Sequence, residues 1–180
     1  MNRYREEFSE KIETDSDLQW GTKKSVLVDK YGWVVPNERL ISFLRQYDSI
    51  LEIGSGCGYL SFEVNRESDI IYPTDIAVPD DSWTTVYEQS LRDIYVNPES
   101  VPTTDVVLCS WPPADSSLVI DTIEYLEPSV YVYIGVLDST ITGSEEDMSC
   151  FELNRYRLTS QISVNGWLPD REYVYCFKKD

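Results

Sequence analysis

The 180 residues carry 32 acidic against 15 basic side chains, a formal charge of −17, and no histidine. A chain of this length holds one domain with one sizeable core, and 42% hydrophobic residues are enough to fill it. The balance argues against a protein that grips nucleic acid by its phosphates, which needs a basic patch, and no apolar run reaches the roughly 18 residues of a membrane span.

The acidic residues are spread along the chain instead of gathered in a tail. That pattern reads as a halophilic surface, adapted to high salt where screening removes self-repulsion; repulsion of nucleic acid and anionic membrane is the competing reading. The opening residues Met1 to Glu7 lack the apolar stretch of a signal peptide, so the expectation is a soluble, cytoplasmic protein. Cys57, Cys109, Cys150 and Cys176 form no CxxC pair, and without histidine they suggest reduced thiols and no metal site.

In chain order, residues 1–24 read as a polar arm, a helix of modest stability or loosely held, ahead of a single domain over 25–180. Residues 25–36 are apolar and irregular. Asn37 caps a helix with Leu40, Ile41 and Leu44 at helical spacing to about Tyr47. Ser49 to Ile53 is a buried strand that stops at Gly54, and a second helix starts near Tyr59. Asp69 to Ile76 is the next strand. A helix near 84–91 and a short strand around Ile94 follow. Asp105 to Cys109 is a further strand, 116–126 a helix and Val130 to Val136 a central strand. Residues 151–158 read as helical. Ser160 to Val164 and Glu172 to Phe177 alternate as strands around the turn signals Asn165-Gly166 and Pro169-Asp170. Alternating strands and helices with a closing strand pair imply an α/β sheet, mostly parallel with an antiparallel edge.

The chemistry starts at Glu52-Ile53-Gly54-Ser55-Gly56-Cys57-Gly58-Tyr59. A strand ends, glycines let the backbone turn tightly and approach a ligand, and a helix follows; ligands of open α/β sheets sit beside such turns. The dinucleotide fingerprint G-x-G-x-x-G needs glycine where Tyr59 stands. The turn reads G-x-G-x-G behind an acid, and so resembles motif I of class I S-adenosylmethionine-dependent methyltransferases. That resemblance implies a loop passing under the methionine part of the cofactor, with Glu52 supporting its amino group or organising the loop. Asp75, some twenty residues on at a strand end, can accept both ribose hydroxyls of a nucleoside, as the motif II acid does, and Ile76 would pack on the adenine. Asp93 is a weaker candidate for the adenine amino group.

Ser110-Trp111-Pro112-Pro113 follows the next strand, where this class places motif IV beside the transferring methyl. The enzymes that methylate base amines read Asp/Asn/Ser-Pro-Pro-aromatic there; here Trp111 precedes the prolines and Ala114 replaces the aromatic, which disfavours a flipped base as acceptor. Cys57 and Cys109 would line neighbouring strand ends as compact pocket residues, Cys109 among the cofactor contacts. A thiol nucleophile is not implied.

Three segments together, Tyr31-Gly32-Trp33-Val34-Val35-Pro36, Leu51 to Tyr59 and Leu108 to Pro113, resemble a group of small methyltransferase-like proteins with a Trp-Pro-Pro motif IV. The resemblance implies a Rossmann-like domain with a seven-stranded sheet, helices on both faces, and Tyr31 and Trp33 as a lid. It implies an enzyme binding S-adenosylmethionine through Glu52, Gly54, Ser55, Gly56, Gly58, Tyr59, Asp75, Ile76 and Cys109, with Ser110, Trp111, Pro112 and Pro113 flooring the acceptor pocket. Asp138, Glu145, Glu146 and Asp147 could supply a carboxylate but read first as a solvated acidic loop. The acceptor is a small molecule or protein in preference to nucleic acid. The competing reading is a non-catalytic module that keeps a nucleoside pocket; a cavity filled by Trp33 or Trp111 would favour it.

Overall fold

Short apolar runs rich in β-branched residues, such as Ile50 to Ile53 and Val106 to Leu108, are too brief for helices and bury both faces as parallel strands do. In the computed structural model, which describes residues 3–12, 17–137, 141–143, 145–164, 166–168 and 171–180, seven strands form one sheet. They are β1 (Ile50–Ile53), β2 (Ile71–Asp75), β3 (Tyr87–Glu88), β4 (Val106–Ser110), β5 (Val130–Gly135), β6 (Tyr156–Ser163) and β7 (Tyr173–Lys179). Their order across the sheet is β3-β2-β1-β4-β5-β7-β6. Strands β1 to β5 pair in parallel, and β7 runs antiparallel to both β5 and β6. This is the mostly parallel sheet with an antiparallel closing pair that the sequence implies.

Helices α1 (Arg3–Ile12), α2 (Asp17–Tyr31), α3 (Glu38–Leu44) and α4 (Tyr59–Val64) cover one face, where Leu27, Leu40, Tyr59 and Val64 meet Ile50, Leu108 and Val132. Helices α5 (Leu91–Val96), α6 (Leu118–Leu126) and α7 (Glu145–Leu153) cover the other, where Ile94, Ile123 and Phe151 meet Ile53, Tyr131 and Tyr133. Even-numbered residues of β1 and β4 face the first layer and odd-numbered ones the second, the period of two that strands impose.

Asn37 caps α3, its Oδ1 accepting from the Leu40 amide at 2.8 Å. Elsewhere the structure departs from the sequence reading. The arm is not merely polar: Tyr4 and Phe8 are buried in the first core. The stretch 25–31 continues α2. Between β2 and β4 the expected helix and strand are exchanged, for β3 pairs with β2 and α5 begins at Leu91. The cause is Ser90 with Asp93, a reciprocal capping box that starts a helix where hydrophobic pattern alone suggests a strand. Near the end, α7 stops at Leu153 and β6 already begins at Tyr156. Asn165, Pro169 and Asp170, of the two expected turns, lie outside the described residues.

Candidate active site

The turn after β1 is built by three glycines with left-handed backbone, Gly54 (φ 75°), Gly56 (φ 56°) and Gly58 (φ 70°). Its amides are tied down one by one. Those of Gly54 and Ser55 donate to the Thr74 carbonyl at 2.9 and 3.0 Å, and that of Gly58 to the Ser55 carbonyl at 3.0 Å. The Gly56 amide donates to Asp75 Oδ2 at 2.7 Å, while Asp75 Oδ1 accepts from Ala77 at 3.1 Å. Asp75 therefore joins the ends of β1 and β2 and fixes the loop, a role the sequence reading gave to Glu52 as one option. Each carboxylate oxygen keeps a further lone pair. Beside it Ile76 is 74% exposed, an apolar side chain at the strand ends with nothing packed over it.

Glu52 lies on the first face of the sheet and is 1% exposed. Its Oε2 accepts from Ser61 Oγ at 2.5 Å and its Oε1 from Ser110 Oγ at 3.5 Å. Burial pushes the carboxyl up to about 7; the two serine hydroxyls pull it down, and the charge of Asp75 adds to the rise. A carboxyl poised there changes charge near neutrality.

Glu52, Gly54, Ser55, Gly56, Tyr59 and Ser110 line a cavity of about 70 Å³, closed over by Tyr31, Gly32, Trp33 and Val34. Ser55 Oγ is buried there without a hydrogen-bond partner. The walls are aromatic and mutually braced. Tyr31 stacks on Trp83 (5.2 Å, 20°) and on Tyr4 (4.6 Å, 14°), and Tyr59 meets Tyr31, Tyr4 and Trp83 edge-on. Trp83 Nε1 donates to the Lys30 carbonyl at 2.6 Å, and Tyr4 OH to the Gly32 carbonyl at 3.0 Å. Tyr4, Trp83 and Ser61 escaped the sequence reading because no motif or periodicity links residues 4, 61 and 83 to the turn; only the tertiary fold does.

Of Ser110-Trp111-Pro112-Pro113, only Ser110, the last residue of β4, lines the cavity. Trp111 adopts φ 50°, rare for a bulky side chain, and is held there from three sides. Its amide donates to the Ile134 carbonyl at 2.7 Å, Nε1 donates to Glu172 Oε1 at 3.1 Å, and its ring stacks on Trp33 at 5.0 Å and 19°. Pro112 is buried; Pro113 is exposed and bridges to Thr142. Glu172 is itself buried, and burial raises its carboxyl above the ordinary range against the hydrogen bond from Trp111.

Other expected residues fall elsewhere. Cys109 is on the opposite face of the sheet among Ile53, Tyr131 and Tyr133, its thiol raised to about 12 by burial. Cys57 belongs to the first face, its Sγ 3.8 Å from the Lys30 carbonyl, so the two thiols do not share a pocket. All four cysteines are buried and free. Asp93 is spent capping α5. Gly58 lies under the Thr84–Val86 segment, where an added Cβ would come within 2.7 Å of Val86. Asp138 and the Glu145 side chain lie outside the described residues; Glu146 is exposed, but Asp147 is 2% exposed, not a solvated loop carboxylate. Another concavity, of about 730 Å³, shares no lining residue with the cavity beside Glu52. Its Arg45 and Arg66 are engaged by Glu67, Glu63 and backbone carbonyls.

No family model matches the sequence, and no curated protein matches it significantly. Solved structures do match. A magnesium protoporphyrin IX methyltransferase from Synechocystis PCC 6803, with bound SAM, is 13% identical and superimposes with a TM-score of 0.58 over 94% of this chain and 88% of its own. A precorrin-6y C5,15-methyltransferase from Geobacter metallireducens GS-15 gives 13% and 0.53 over 82% and 91%. TrmK of M. capricolum, in complex with S-adenosyl-homocysteine, gives 15% and 0.51 over 81% and 69%. The chain has the class I methyltransferase fold. Among the described residues no helix is long and apolar enough to cross a membrane.

Proposed function

We propose that the chain binds S-adenosylmethionine at the carboxyl ends of β1 and β2 and transfers its methyl group to a small-molecule or protein acceptor. The observation that carries this reading is the glycine turn itself. Its amides are pre-bonded to Thr74 and Asp75, and it leaves the Ser55 hydroxyl buried and unbonded beside the carboxyl of Glu52. An orphaned hydroxyl and a buried acid in one cavity suit a cationic, hydrogen-bonding group such as an α-amino acid head. The free lone pairs of Asp75 suit vicinal hydroxyls, and the exposed side chain of Ile76 suits an adenine face.

The enclosed volume of about 70 Å³ is well below the ~300 Å³ or more of a drug-sized pocket, so it takes only the amino-acid head. The nucleoside would lie along the open ledge past Asp75. When bound, the cofactor supplies an electrophilic methyl on a cationic sulfonium. This chain's residues supply position: Tyr31 and Trp33 close the cavity over the turn, and Ser110 lines its wall beside Glu52. Glu52 can hold or release a proton near neutrality.

The test is calorimetric titration with S-adenosylmethionine and S-adenosylhomocysteine in molar salt, for the wild type and Asp75→Ala. Micromolar binding that weakens at least tenfold in the variant is expected. A folded wild type that binds neither ligand sinks the reading and leaves a binding module of other ligand.

A further inference from the structure

At the Trp33 wall, an ammonium that does not line the cavity lies over two indoles. Lys24 Nζ lies 5.0 Å from the ring centroid of Trp33 and 5.3 Å from that of Trp167, both within cation–π range. Trp33 in turn stacks on Trp111, the residue after Ser110, and Trp111 donates to the buried carboxylate of Glu172. The positive charge of Lys24 also favours the ionised form of Glu172. Two tryptophans thus meet at one cation, with Trp111 and the buried Glu172 behind Trp33, next to the strand end where an acceptor has to approach.

Core packing accounts for Trp111 and Trp167, both buried in the first core, but not for the placement of Trp33. Trp33 is 43% exposed, and a stacked indole pair held by a left-handed Trp111 is costly to build merely to seat a partly exposed lysine. The surrounding charge points the same way: with −17 overall, the molecule attracts cations and repels anions from any open rim. Lys24 is tethered on α2, whose end leads directly into the Gly32–Val34 wall, so shortening its side chain removes the cation that the two indoles hold.

We propose that Trp33 and Trp167, with Trp33 backed by the Trp111–Glu172 pair, form a subsite for an alkylammonium group of the acceptor, and that Lys24 fills it as an internal surrogate. The assignment of this cation to the acceptor rests on the methyltransferase reading; the cation site itself does not.

Tetramethylammonium is the probe, followed through the indole N–H resonances of the full chain, with tert-butanol as the neutral analogue of similar shape. Lys24→Ala and Lys24→Ser are expected to bind tetramethylammonium at least tenfold more tightly than the wild type, shifting the resonances of Trp33 and Trp167. Adding Trp33→Ala to either variant should abolish the gain. Equal half-saturation in wild type and vacated variants, or tert-butanol binding as well as the cation, overturns the proposal. Titration of the same variants with S-adenosylhomocysteine separates the two readings. Cation binding without nucleoside binding keeps the subsite and removes its acceptor role; nucleoside binding without cation binding removes the subsite alone.

Discussion

Glu52 is a carboxyl with no cation beside it among the described residues, buried between two serine hydroxyls. Because burial lifts it from 4.5 to about 7, the native state keeps a proton that the unfolded chain has already lost between those two values. Stability therefore falls as pH rises through that window, by up to about 3 kcal/mol for this group, and the loss is complete above about 7. Urea unfolding at pH 5 and pH 8 should show this decline in the wild type and a much smaller one in Glu52→Gln; an equal decline in both would remove Glu52 as its source. At Gly58 the backbone and the space agree: alanine there meets a left-handed φ of 70° and Val86 at 2.7 Å. Gly58→Ala should lose at least about 1–2 kcal/mol in the same assay. Glu52 and the glycines stand out in the sequence because a strand acid and a G-x-G-x-G turn form one short run, and Asp75 because it ends the next strand. Trp83 and Glu172 do not, since each meets Tyr31 or Trp111 from a distant element and carries no local signature.

Among the elements, α1 does more than its polar composition suggests. Tyr4 is fully buried, stacks on Tyr31, lies edge-on to Tyr59, and ties its hydroxyl to Gly32. Two walls of the cavity therefore lean on a residue near the start of the chain. Tyr4→Phe should cost about 1 kcal/mol for the lost hydrogen bond, and Tyr4→Ala about 3–5 kcal/mol, read by denaturant unfolding. If α1 were only a loose arm, both variants would unfold at the wild-type midpoint. The strands of the sheet were readable from their apolar runs, and α3 from its Asn37 cap. The exchange of β3 and α5 was hidden because β3 is only two residues long and its side chains are exposed, leaving no hydrophobic pattern to detect. The early end of α7 has a similar origin: β6 is largely exposed along its length, so its alternation is weak against the helical residues before it.

For the molecule as a whole, the −17 charge is carried mainly by exposed carboxylates with few cations to pair them. Self-repulsion of that size weakens the compact state at low ionic strength and is screened as salt rises. The melting temperature should climb between about 0.1 and 1 M potassium chloride, where the screening length falls from about 10 to about 3 Å, and flatten beyond. A flat profile across that range would show that the acidity does not burden the fold. The two-faced α/β plan was the most legible level of all, because it depends on the alternation of strand and helix rather than on any one boundary.

Four of the five tryptophans, Trp33, Trp83, Trp111 and Trp167, surround one end of the sheet, and two of them lie nearly parallel at 5.0 Å. Transition dipoles that close exchange excitation, so the Trp33–Trp111 pair should give a split circular-dichroism band in the far ultraviolet that an isolated indole lacks. Any event that parts the two rings, whether a ligand entering or a lid lifting, would collapse the couplet while the helical signal stays constant. The molecule thus carries an optical gauge at the site where events are expected, readable without a label.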